Sequence, residues 1–94
     1  MMLPENLDEI YSQFYDSVFK SSAFDSKTTL LLFIASSMAV ACYPWMELFL
    51  GGAKEEGITE DEIGSVLSIV MAVSGGRVRA QLREVLARRN NADG

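Results

Sequence analysis

The sequence predicts an all-α domain of about five helices. Three observations lead there. Apolar residues recur at the spacing of a helical face through most of the chain, and no run alternates apolar and polar residues between turn signals, as a half-buried strand does. Pro, Gly and short polar capping residues mark the junctions.

The first helix spans about Pro4 to Lys20. Leu7, Ile10, Tyr11, Phe14, Val18 and Phe19 share one face, with Glu and Asp on the opposite side, and Pro4 suits a first turn, where a missing N–H removes no hydrogen bond. The polar run Ser21, Ser22, Ala23 leads to Asp25 and Ser26, either of which can accept from the free donors that open a second, apolar helix from Lys27 to about Ala41. Pro44 cannot continue that helix but fits the first turn of another, so a junction is expected at Cys42 and Tyr43 and a third helix from Pro44 to Glu56. Gly57 is placed to end it in a left-handed conformation.

Thr59 with Glu62 forms a capping box for a fourth helix, from Glu60 to about Ser74. Its Ile63, Val66, Leu67, Ile69, Val70, Met71 and Val73 cover most of its circumference, so it is central or shared with another subunit. Gly75 and Gly76 are expected to stop it, and Val78, Leu82, Val85 and Leu86 give a fifth helix a narrow apolar stripe among arginines. With no repeat, low-complexity segment or linker, residues 1–94 read as a single domain.

Of the 94 residues, 49% are hydrophobic and 22% charged. A domain this small buries only a little over ~60% of the surface its unfolded chain exposes, so the apolar surplus calls for a partner, and self-association is the commonest answer. A net charge of −5 argues against a nucleic-acid partner, which Lys and Arg would have to hold by phosphate neutralisation. Arg77, Arg79, Arg83, Arg88 and Arg89 are a local exception, explained by solvation or by pairing with the acidic N-terminal segment of another subunit.

Residues 28–46 carry no charge until Glu47, close to the ~20 residues that span a bilayer. Ser36, Ser37, Cys42 and Pro44 interrupt the stretch, so buried core helices are expected there and no membrane partner. The start of the chain lacks the basic and apolar regions of a signal peptide, and a cytoplasmic location is expected.

The chain has no histidine and one cysteine. This removes the usual general base, the Ser-His-Asp and Cys-His arrangements and the commonest metal ligand, and no metal or organic cofactor is expected. Cys42 precedes a helix N-terminus, where free N–H groups and the helix dipole favour a thiolate; a small buried hydrophobe is the competing reading. Glu47, one turn on, is either a proton carrier or an exposed first-turn acid. Met38, Tyr43, Trp45 and Phe49 either line a pocket for an apolar ligand or belong to a core or subunit contact.

The stretch from Lys27 to Gly76 resembles the carboxymuconolactone decarboxylase and alkylhydroperoxidase D-like family. The resemblance rests on Lys27 and Thr28, the apolar helix, Cys42, Ala53, Gly57, Thr59, Glu62, Ile63, a second apolar helix and the closing glycine pair. It implies an alkylhydroperoxidase D-like helical fold assembled as a trimer or hexamer. Redox-active members carry a glutamate on the apolar helix, then Cys-x-x-Cys and a histidine; here these positions hold Leu30, Cys42, Trp45 and Phe49.

The family's peroxide-attacking thiol is the second cysteine, so the resemblance leaves only its partner, Cys42, and turns Leu30, Trp45 and Phe49 into an apolar pocket. Two readings follow. One is a non-catalytic oligomeric scaffold or apolar small-ligand binder. The other is a one-cysteine thiol peroxidase-like enzyme or redox sensor that uses Cys42.

Overall fold

In a computed structural model, which describes residues 3–93, the chain is all-helical: α1 is Glu5–Lys20, α2 Ser26–Ala39, α3 Tyr43–Ala53 and α4 Glu60–Asp93. The expected fifth helix is corrected by this arrangement, because Gly75 and Gly76 lie inside a single 34-residue α4. A glycine stops a helix when it turns left-handed, and among the described glycines only Gly57 does so. Neither Gly75 nor Gly76 is followed by an apolar residue that a C-terminal cap would bury, since Arg77 comes next. The downstream segment favours helix on its own account, with a Glu84–Arg88 ion pair one turn apart.

Short-range chemistry sets the other boundaries. Asp25, rather than Ser26, caps α2 by accepting from the Thr28 N–H at 2.6 Å. The Thr59–Glu62 capping box is present in both directions: Thr59 Oγ1 accepts from the Glu62 N–H at 3.1 Å, and the Thr59 N–H donates to Glu62 Oε1 at 3.0 Å. After α3, Gly57 at φ 76° donates to the Lys54 carbonyl and Ile58 to the Ala53 carbonyl, a two-bond left-handed cap. Ile58 and Ala53 are both buried, which is the apolar contact that accompanies such a cap.

The end of α2 uses the same cap with a less suitable residue. Ala41 sits at φ 54° and donates to the Met38 carbonyl, while Cys42 donates to the Ser37 carbonyl at 2.9 Å. The turn brings Cys42 to the start of α3, where Pro44 occupies the first turn as expected.

Helix α2 is the centre of the molecule and packs against both α3 and α4. Its Leu30 and Ile34 join Phe49 and Ala53 of α3 and Ile58 in the buried core. The buried polar groups are satisfied locally: Thr29 Oγ1 donates to Ser22 Oγ at 2.7 Å, and Ser37 Oγ donates to the Ile34 carbonyl at 2.8 Å. Lys27 of α2 and Glu62 of α4 form a 3.0 Å ion pair that ties the two helix starts together. α1 lies over the core through Tyr15 and Phe19, both half-buried.

Candidate apolar groove

A groove of about 380 Å³ opens between α1, α2 and α3. Tyr11, Phe14, Tyr15 and Val18, one face of α1, form its first wall. Phe33, Ser36 and Ser37 of α2, with Val40 at its C-cap, form its floor, and Cys42, Trp45 and Phe49 its second wall. The α2 cap described above sets this shape, because its sharp reversal at Ala41 carries Cys42 back beside Ser37.

Aromatic rings hold the walls at their spacing. The Tyr15 ring lies edge-on to Trp45 with centroids 4.5 Å apart and edge-on to Phe33 at 5.4 Å. Trp45 also meets Tyr11 edge-on at 6.3 Å and Phe49 at 5.5 Å. These lie within the range where ring quadrupoles add attraction to area burial. Desolvation, followed by the charge of Asp16 and the neighbouring Tyr11, holds the Tyr15 phenol above its ordinary pKa, so it stays protonated at neutral pH.

Among the described residues no carboxylate, lysine, arginine or histidine lines the groove; its polar groups are Ser36, Ser37, the Cys42 thiol and two tyrosine hydroxyls. Cys42 is half-buried, stands at the N-cap of α3 and makes no side-chain capping bond. Its backbone carbonyl accepts from the Met46 N–H. The arrangement can therefore hold an uncharged apolar molecule with one thiol at its edge.

Of the residues singled out in the sequence, Cys42, Trp45 and Phe49 come together here. Leu30 lies beneath the groove, in the buried cluster that includes Phe49. Met38 is half-buried against the core and does not line the groove, and Tyr43 points outward at 71% exposure. Glu47 is exposed and away from the lining. The α1 residues and Phe33, Ser36, Ser37 and Val40 were not singled out as site residues. The broad aromatic face of α1 was the available signal, since it exceeds what the cover of one small core needs.

The family model for the carboxymuconolactone decarboxylase family matches residues 5–88, a longer stretch than the one that carries the resemblance in the sequence. No curated protein matches the chain, and no solved structure does. With all four helices inside or overlapping the matched range, the chain belongs to the carboxymuconolactone decarboxylase family.

Proposed function

We propose that this family member is non-catalytic, works as a homo-oligomer, and binds an uncharged apolar small molecule in the groove beside Trp45. The observation that carries this reading is the lining itself. Where the family resemblance puts a cysteine and a histidine stand Trp45 and Phe49, and the facing wall of α1 is aromatic as well. A volume of about 380 Å³ falls in the range of small-molecule pockets, and apolar contact supplies ~25 cal/mol for each Å² taken from water. A flat aromatic or compact alicyclic ligand fits best, because it can lie against the Trp45 and Tyr15 rings.

Trp45 is the only tryptophan and lines the groove, so its emission reports on a probe bound there. The test is a titration with N-phenyl-1-naphthylamine, following energy transfer from Trp45. Saturable binding is expected, weakened by Val18→Asp or Val40→Asp, which put a charge among the apolar lining residues. Linear, non-saturating uptake, or equal affinity in both variants, overturns the proposal.

One observation favours a second reading: the Cys42 thiol faces the groove at a helix N-cap. In that reading the Cys42 thiolate attacks a hydroperoxide ROOH, breaking its O–O bond, to give the sulfenic acid and, after protonation, the alcohol ROH. An external low-molecular-weight thiol then forms a mixed disulfide with loss of water, and a second such thiol restores Cys42. Thiol-dependent peroxide consumption that disappears in Cys42→Ser supports this reading, and none above the rate of a free thiol ends it.

A further inference from the structure

The longest uncovered apolar feature of the molecule lies on α4, away from the groove. Met71, Gly75, Val78, Leu82 and Val85 follow one another at alternating steps of four and three, the seam spacing of a two-stranded coiled coil. Met71, Val78, Leu82 and Val85 are 63, 60, 58 and 48% exposed. The half of α4 that faces the core uses a different side of the helix, through Ile63 and Val66. Beyond Ser74 every described residue through Asn91 is exposed, so the second half of α4 gains nothing from its own chain.

Charge identifies what covers the seam. α4 begins with Glu60, Asp61 and Glu62, while Arg77, Arg79, Arg83, Arg88 and Arg89 crowd its far half, where Glu84 is the one acid before Asp93. Parallel pairing of two α4 helices sets arginines against arginines. Antiparallel pairing sets each basic end beside an acidic start and opposes the helix dipoles favourably. Gly75 belongs to the same argument. A Cβ there meets nothing within 4 Å and its φ is not left-handed, so nothing within the chain requires glycine, yet glycine in a helix interior costs about 1 kcal/mol relative to alanine. The same holds for Gly76, but Gly75 lies on the seam, where it leaves room for a second helix to approach closely.

We infer that two copies of this chain pair through antiparallel α4 helices about a two-fold axis near residues 76–77, with Met71 opposite the partner's Leu82 and Gly75 opposite the partner's Val78. This rests on the self-association proposed above and names its surface. In this register Arg89 of each copy reaches the other copy's Glu60 and Asp61, whereas Glu62 is already paired with Lys27. A bilayer is the competing occupant, since α4 is long and apolar enough by length and composition to cross one. The charge-free run, residues 63–76, spans only ~21 Å of helix against a hydrocarbon core of ~30 Å.

The experiment is light scattering on the full chain, with Leu82→Glu and Val78→Glu compared with the original sequence. An even-numbered assembly is expected, and each substitution, present twice in the interface, should raise its dissociation constant ~100-fold or more while helix content by circular dichroism is retained. Orientation is read in a Cys42→Ser background by disulfide trapping with copper phenanthroline. A mixture of Met71→Cys and Leu82→Cys chains should give the mixed dimer, with little self-linking of either alone.

Self-linking of each variant without the mixed product overturns the antiparallel arrangement. An assembly that survives both glutamate substitutions removes α4 as its surface and leaves self-association standing, whereas a monomeric original sequence up to ~100 μM removes self-association as a whole. Co-sedimentation with phosphatidylcholine vesicles that Leu82→Glu abolishes assigns the stripe to a membrane and overturns the pairing.

Discussion

Ala41 is the one described non-glycine residue with positive φ, and it holds the turn on which the groove depends. A left-handed L-residue costs roughly 1 kcal/mol, which glycine avoids. Net of the greater freedom of the unfolded glycine, Ala41→Gly should therefore stabilise the chain by about 0.5–1 kcal/mol, read as a higher urea midpoint. The same scale governs acid stability. Side-chain and then backbone hydrogen bonding at Thr28 lowers the Asp25 pKa, and the Thr59 backbone with Lys27 lowers that of Glu62. For a carboxyl lowered on folding, the stabilisation is present above the unfolded values, 3.8 and 4.5, and is lost as pH falls through the lower folded ones. A pH series of thermal melts should show this loss below about pH 4.5, reduced in Glu62→Gln. The Thr59–Glu62 box and the Gly57 turn were legible in the sequence because each acts within a few residues. The strained turn at Ala41 was not, since alanine carries no local signal for a left-handed backbone.

At the scale of elements, the sequence marked helix starts better than helix ends. Gly75 and Gly76 resemble a stop signal, yet a stop needs something to cap, and Arg77 offers no apolar contact. In the Leu82→Glu background, where pairing no longer contributes, Gly75→Ala and Gly76→Ala should each stabilise α4 by about 1 kcal/mol, seen as slower proteolysis within residues 70–90. Helix α1 illustrates the other gap. Its apolar face was plain from spacing, but which helices it covers depends on tertiary packing, so its share of the groove was not legible. Tyr15 anchors it through Trp45, Phe33 and Phe49. Tyr15→Ala should cost about 2 kcal/mol, less than full removal of a buried aromatic because Tyr15 is half-exposed, with the Trp45 emission shifting to the red as α1 lifts.

The whole molecule is far from a sphere. Its radius of gyration is 18.3 Å, whereas a compact domain of this length has about 12 Å, and its long axis reaches 56 Å because half of α4 projects alone. Full burial of an apolar side chain contributes roughly 1.5–3 kcal/mol, and among the described residues the buried apolar core holds Leu30, Ile34, Phe49, Ala53 and Ile58. The apolar surplus read from composition is thus displayed on α1 and α4. Its existence was legible in the sequence; its division between a groove and a helix seam required the fold, because both use the same residue types at the same spacing. If the seam is covered by a second copy, the melting temperature of the original sequence should rise with protein concentration and that of Leu82→Glu should not.

If the groove binds apolar molecules and Cys42 is a passive part of its wall, the alkylation rate of Cys42 reports both. It is measured in the native chain, in the unfolded chain, and in the native chain saturated with N-phenyl-1-naphthylamine. On this reading the native thiol reacts more slowly than the unfolded one, and more slowly again when the probe fills the groove. A native thiol that reacts faster than the unfolded one and is indifferent to the probe would contradict it and point to thiol chemistry at Cys42.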